Sequence, residues 1–303
     1  MANALKENNR TGYVLVFIAL IATVILLAVI AASLILYTPT EPAADSNEAT
    51  IEHRFDGEDV WVEVELEDED TSPASVLHLL PANPYGESDF QYDGWFLKST
   101  AVDCLSGIDV SAYQGDINWH QVAEAGVDFA IIRLGYRGYE SGKLVEDKFA
   151  RKNLEGAAEA GIQIGVYFFS QALNPNEARE EAQFVLDMIE PYEVSMPVVF
   201  DWEHVNSETA RTNDMNPYAA TDCAQAFLEV IDNAGYWPMM YFNSFQSRKL
   251  FYLDQLMEYD FWLALYSDRM TFPYKVDMWQ YTCTGTIPGI FGDVDVNVLF
   301  LHD

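Results

Sequence analysis

Positive charge is scarce in this chain: 16 Lys and Arg stand against 48 Asp and Glu in 303 residues, a net charge of −32. Nucleic acid is therefore excluded as a partner, because phosphate backbones are held by clustered Lys and Arg. Cysteine is also sparse. Cys104, Cys223 and Cys283 are an odd number, so at most one disulfide can form within the chain, and none sits in a CxxC or Cys/His cluster of metal spacing. Their simplest reading is small buried thiols. The five histidines form no HExxH, and there is no Gly-x-Ser-x-Gly elbow, phosphate-cradling Gly-rich loop or dinucleotide fingerprint. Metal-assisted hydrolysis, serine chemistry and nucleotide chemistry lose their usual signatures, and neither cofactor nor metal is expected. Apolar residues are not lacking: at 50% hydrophobic and 14% aromatic the chain can bury a large core, so the acidity belongs to a folded surface.

Residues 13–37 (YVLVFIALIATVILLAVIAASLILY) carry no charge. As a helix they would extend roughly 37 Å, more than a bilayer's hydrocarbon core. A cleavable signal peptide has a shorter apolar region, and the small-residue site near Ala31 to Ser33 is followed by more apolar residues. Lys6 and Arg10 precede the run, whereas Glu41, Asp45 and Glu48 follow it. The positive-inside rule then gives a single-pass anchor with residues 1–12 cytoplasmic and everything after Tyr37 extracellular, at the cell membrane.

Residues 38–105 hold 17 acids against Arg54 and Lys98, punctuated by Pro39, Pro42, Pro73, Pro81 and Pro84. They read as an acidic stalk or small β accessory segment. Val60 to Glu67 alternates apolar residues with glutamates, the period of a strand with one wet face, and Trp95-Phe96-Leu97 suggests another strand. Glu67 to Asp70 is most simply a solvated turn, with a Ca²⁺ site as the lesser alternative.

From residue 106 to 303 apolar strands alternate with amphipathic stretches. Strands are expected at about 107–110, 129–134, 163–169, 196–202, 237–242, 261–265, 278–281 and 294–298. Helical stretches separate the first five; in Asn176 to Ile189 the residues Ala178, Ala182, Val185 and Ile189 recur at helical steps. The pattern implies an α/β barrel of parallel strands with a simplified final third, since the last three strands leave no room for full helices.

Chemistry in such barrels sits at the C-terminal strand ends. Asp109 lies in the first strand, Asp201 and Glu203 close the fourth, and Asp295 lies in the last. Asp201 and Glu203 are two residues apart, so an extended strand projects both from one face. Paired carboxylates resist joint ionisation, and one keeps a proton near neutral pH. Glycoside cleavage needs that arrangement: an acid for the leaving oxygen and a carboxylate for the developing charge. A solvated loop mouth would explain the same spacing without catalysis.

Several segments together resemble glycoside hydrolase family 25, the Chalaropsis-type lysozymes or N-acetylmuramidases. They are Gly107-Ile108-Asp109-Val110-Ser111 with Tyr113-Gln114-Gly115, Phe129 to Tyr136, Gly165 to Ser170, Phe200-Asp201-Trp202-Glu203, Tyr241-Phe242-Asn243, Trp279-Gln280-Tyr281 and Gly289 to Asn297. They run in order across residues 106–303. The resemblance implies a (β/α)5(β)3 TIM-like barrel that cleaves the β-1,4 bond between N-acetylmuramic acid and N-acetylglucosamine, with peptidoglycan glycan strands as partner. By position Glu203 would be the general acid, Asp201 the nucleophile or the group that orients the substrate's N-acetyl, and Asp109 and Asp295 the rest of the acidic cluster. Phe291 departs from the family, where many members have Asp.

Flat rings stack on pyranose faces, so Tyr113, Tyr167, Tyr241, Trp262 and Trp279, with Gln280, are candidate substrate contacts. Arg133 is expected to be structural or to pair a carboxylate, and His204 to be a surface neighbour. Six residues follow Asn297, leaving no wall-binding repeats there, so an anchored, monomeric wall-remodelling enzyme is expected. Two other readings remain open: a catalytically inactive, membrane-anchored glycan receptor, and a partner-docking role for residues 38–105.

Overall fold

The computed structural model describes the backbone of β1 (Thr50–Phe55), β2 (Val60–Glu65) and β3 (Ser72–Ser75), and residues 79–301 throughout. Residues 1–12, the apolar run 13–37 and the acidic turn 67–70 lie outside the described residues. Among the described residues no helix is long and apolar enough to cross a membrane. The alternating segment forms β2, the centre of an antiparallel sheet of order β1-β2-β3 with Val64 opposite both Ile51 and Ser72. Pro73 lies in β3, an edge strand, where proline is tolerated in a sheet.

Strands β4 (Phe90–Asp93) and β5 (Phe96–Ser99) form a hairpin. Its two-residue turn places Gly94 at φ 60°, the first central position, where a type II′ turn favours glycine. The barrel follows: β6 (Cys104–Val110), α1 (Trp119–Glu124), β7 (Phe129–Arg137), β8 (Leu144–Glu146), α2 (Ala150–Glu159), β9 (Gln163–Ser170), α3 (Pro175–Ile189), β10 (Val198–Trp202), α4 (Pro217–Asn233), β11 (Pro238–Asn243), α5 (Gln246–Lys249), β12 (Asp260–Ala264), β13 (Met278–Gly285) and β14 (Val294–Phe300). Eight of these strands close in the order β6-β7-β9-β10-β11-β12-β13-β14 and back to β6. Pairing is parallel from β6 to β13, whereas β14 is antiparallel to both neighbours. The short β8, not foreseen from the sequence, folds back on the end of β7.

Helix starts are written locally. Asn174 and Asn216 cap α3 and α4 by accepting from backbone N–H groups of the first turn, and Pro175 and Pro217 occupy positions whose N–H has no helical partner. Strand alternation then separates two cores. Outward residues such as Ile132, Val166, Phe200 and Phe242 join the layer beneath the helices, while inward Phe129, Ile131, Met196, Val199, Met239, Met278 and Leu299 fill the barrel base. Gly107 makes room there: a Cβ on it would lie 2.3 Å from the Phe129 ring.

The boundary expected at residue 106 is not a break in packing. Strand β6 begins at Cys104, and the chain from residue 79 is built onto the barrel. Leu80, Phe90, Phe96 and Leu97 are buried in the outer core. Phe90 meets Trp279 edge-on at 5.2 Å, the Leu97 N–H donates to the Tyr281 hydroxyl at 3.1 Å, and Asn83 donates to the Phe272 carbonyl at 2.9 Å. This segment covers strands β13 and β14, which carry no helices of their own. The thiol reading needs correction: all three cysteines are free, but only Cys223 is buried, while Cys104 is half-buried and Cys283 exposed. Burial pushes the Cys223 thiol up to about 12.

Candidate active site

A cavity of about 920 Å³ opens at the mouth of the barrel. It is lined by Asp109, Asp201, Glu203 and Asp295 together with Tyr113, Tyr167, Tyr241, Trp262 and Gln280, so the four expected carboxylates and five of the six expected contact residues converge. Trp279 is the exception. It is fully buried and donates from its indole to the Leu265 carbonyl at 2.7 Å, on the outer face of β13. Adjacent residues of a strand point to opposite faces, so placing Gln280 inside puts Trp279 outside, and it is withdrawn as a substrate contact.

Each acid is positioned by its strand. Asp109 and Asp295 are direct partners across the antiparallel β6–β14 pair. Asp109 Oδ2 accepts from Gln280 Nε2 at 2.8 Å and from Asn297 Nδ2 at 2.9 Å. Both amides are oriented from behind: Gln280 Oε1 accepts the Tyr241 and Tyr266 hydroxyls at 3.3 and 3.2 Å, and Asn297 Oδ1 accepts the Trp262 indole N–H at 2.9 Å. Trp262 is nearly fully buried and meets Tyr241 edge-on at 4.9 Å, making a rigid floor. Tyr167 is half-buried, whereas Tyr113 is 86% exposed at the rim.

Asp201 is the last inward residue of β10; Glu203 follows one inward step later, beyond the strand end. Two buried glutamines hold that exit. Gln246 Nε2 donates to the Trp202 carbonyl at 2.6 Å, and Gln171 Nε2 donates to the Glu203 carbonyl at 2.7 Å. Gln171 Oε1 in turn accepts the Thr212 hydroxyl at 2.9 Å. Sequence reasoning missed both glutamines. Their partners lie more than 30 residues away, and only the side-chain contacts reveal them.

Crowding sets the proton distribution. Burial, then the charges of Glu203 and Asp109, hold Asp201 well above the usual carboxylate range, with Arg133 pulling it back. Burial and Asp295 raise Asp109 well above it, opposed by its two amide donors. Burial raises Asp295 to about 6. Glu203 is raised by burial and by Asp295. A buried oxygen of Asp201, Oδ1, has no hydrogen-bond partner among the described residues. Such clusters retain protons near neutral pH.

Arg133 pairs with Asp147, both Nε and Nη2 lying 2.8 Å from Oδ2, as the expectation of a carboxylate partner required. Its guanidinium also lies 5.2 Å from the Tyr113 ring centroid. His204 is exposed. Phe291 is 95% exposed and does not line the cavity. Among the described residues, no group of three or more His, Cys, Asp or Glu side chains is arranged to hold a metal ion.

The sequence pattern of Glycosyl hydrolases family 25 matches residues 108–290. The chain is 28% identical over 212 residues to Lysozyme M1 of Streptomyces globisporus, covering 64% of this chain and 67% of the relative. Its fold is similar to a family 25 glycosyl hydrolase from Bacillus anthracis, with TM-score 0.56 and 21% identity over 70% of this chain and 95% of that one. It is also similar to the modular autolysin LytC from Streptococcus pneumoniae, solved with a synthetic peptidoglycan ligand, with TM-score 0.56 and 24% identity. That match covers 82% of this chain but only 58% of LytC. With more than half of its length matched and the acids gathered at the barrel mouth, the chain belongs to glycosyl hydrolases family 25 and is a glycoside hydrolase.

Proposed function

We propose that this protein is a peptidoglycan N-acetylmuramidase, hydrolysing the β-1,4 bond between N-acetylmuramic acid and N-acetylglucosamine. The observation that carries the reading is the placement of two crowded carboxyls on one face: Asp201 is the last inward residue of β10, and Glu203 lies one inward step beyond the strand end, both lining the cavity. Burial and neighbouring carboxylates raise both, so the pair retains a proton, and Glu203, the outer of the two, is the group placed to deliver it. Glu203 then protonates the glycosidic oxygen as the bond to the anomeric carbon lengthens. Asp201 faces the positive charge that develops at that carbon, or orients the neighbouring N-acetyl group to meet it. Asp295 raises the carboxyl of Glu203 and so helps it keep its proton, while Asp109 is held beside them by Gln280 and Asn297. Tyr167, Tyr241 and the edge of Trp262 offer ring surface for the sugars.

The same reading places the enzyme at the cell membrane as a monomer, with residues 13–37 as its anchor and the barrel outside. Tethering would raise the local concentration of nearby wall.

The test uses residues 38–303, wild type and Glu203→Gln, incubated with peptidoglycan, followed by borohydride reduction and mass spectrometry of released fragments. Reduced muramic ends from wild type alone support the assignment. Reduced glucosamine ends would overturn the bond assignment, and retained binding without release from either protein would indicate a glycan receptor.

A further inference from the structure

Beside the four carboxylates, which come from β6, β14 and the end of β10, the cavity is lined by a second group from β7, from β8 and from the turns that follow them: Arg133, Tyr136, Tyr139, Val145 and Lys148, with Glu146 and Asp147. In a chain with a net charge of −32, two cations on the β7–β8 side of a glycan cleft call for an explanation. The acids of this second group are already engaged. Asp147 Oδ2 takes Arg133 and the Ala112 N–H, and its Oδ1 takes the Phe149 N–H at 2.8 Å. Glu146 is paired with Arg151 at 2.9 Å. Lys148 has no carboxylate within ion-pair distance among the described residues; its ammonium lies 5.3 Å from the Phe149 ring centroid and is exposed to the cavity. Arg133 is fixed between the Tyr113 and Tyr136 rings, with centroids 5.2 and 5.7 Å away, so its charge is held in place.

We propose that the β7–β8 side of the cavity is a subsite for a carboxylate carried by the glycan, with Lys148 as the residue that recognises it and Arg133 as its fixed electrostatic support. The inference rests on the muramidase reading and names what that enzyme distinguishes. In an alternating glycan strand the acidic substituent sits on every second sugar, so a cationic group on the β7–β8 side of the cleft would set the direction in which the strand lies. An anion cannot rest near Asp109, Asp201 and Asp295 without repulsion. The carboxylate has two sources, the free lactyl acid of a peptide-free strand and an acid of an attached stem peptide; both present the same group to Lys148.

Binding, not turnover, is the direct readout. In the Glu203→Gln background, dissociation constants would be measured by calorimetry for a glycan with free lactyl acids, for the same glycan as lactyl amides, and for a stem-bearing glycan with free carboxylates. Tighter binding of the free acid by about fivefold over the amide is expected at low salt, the size of one partly exposed ion pair. The ratio should fall to about one with Lys148→Gln added, be kept by Lys148→Arg, and shrink at about 1 M salt, where the screening length is only about 3 Å. The stronger of the two acidic ligands identifies the source. Equal affinity for acid and amide, a ratio untouched by Lys148→Gln, or no binding of any of the three would overturn the proposal. Failure of the muramidase reading is distinguishable, because it would show as absent cleavage by the protein with Glu203 intact.

Discussion

The base of the barrel is filled by Phe129, Ile131, Met196, Met239, Met278 and Leu299, whereas further toward the mouth the same strands turn Asp109, Arg133, Asp201, Tyr241, Gln280 and Asn297 inward. The backbone differs little between these levels; the side chains differ almost completely. At the base every inward residue removes apolar area from water, which stabilises the fold. At the mouth the inward residues bury charge, and one Asp201 oxygen lacks any partner among the described residues. The apolar level therefore stabilises a barrel that can hold an acid cluster which opposes folding.

That division can be broken at either level. Glu203→Gln should lower glycan cleavage by about 10²–10⁴-fold, the range for loss of a general acid, with an unfolding temperature no lower than wild type. Phe129→Ala should do the reverse, costing about 3–5 kcal/mol of stability by opening a cavity at the base. Its chemical unfolding midpoint should fall while the pH profile of residual activity keeps its shape.

Asp295→Asn tests the coupling within the mouth. Asp295 has a folded pKa of about 6, above its ordinary value, so the folded state binds this proton more tightly than the unfolded state. Its contribution favours folding below about pH 4 and is lost as pH rises through 6. Melting temperatures between pH 4 and 7 should therefore decline less in Asp295→Asn than in wild type. The variant also removes a negative charge that raises Glu203 and Asp109, so the alkaline limb of the activity profile should move to lower pH.

A smaller effect is expected at the strand exit. Gln171→Met removes the donor to the Glu203 carbonyl and leaves the Thr212 hydroxyl without its acceptor. We expect kcat to fall by about tenfold with KM little changed, as for loss of about one hydrogen bond's worth of positioning. A parallel rise in KM would mean that the residue only supports the cavity wall.

The barrel strands were legible because alternation and apolar runs are local. All eight expected strands are present, with β10 and β11 each beginning near the expected residue. Alternation also explains the error at Trp279: the neighbouring Gln280 occupies the inward position, so both could not face the cavity. The hairpin of β4 and β5 is legible only at Trp95 to Leu97, within a segment that reads as an acidic stalk or small β accessory unit, because its acidic context hides the few apolar residues that dock on Trp279 and Tyr281. The bonds that Gln171 and Gln246 make to the Glu203 and Trp202 carbonyls carry no local signal, since these partners come near only in the closed barrel, and Asp147 meets Arg133 only because β8 folds back on β7.

The most direct test of separate roles for Asp201 and Glu203 is to compare glycan cleavage with cleavage of an aryl glycoside whose leaving group needs no protonation. Glu203→Gln should lose most activity on the glycan yet stay within about tenfold of wild type on the aryl glycoside, while Asp201→Asn loses activity on both. Equal losses on the two substrates for Glu203→Gln would contradict its assignment as the proton donor.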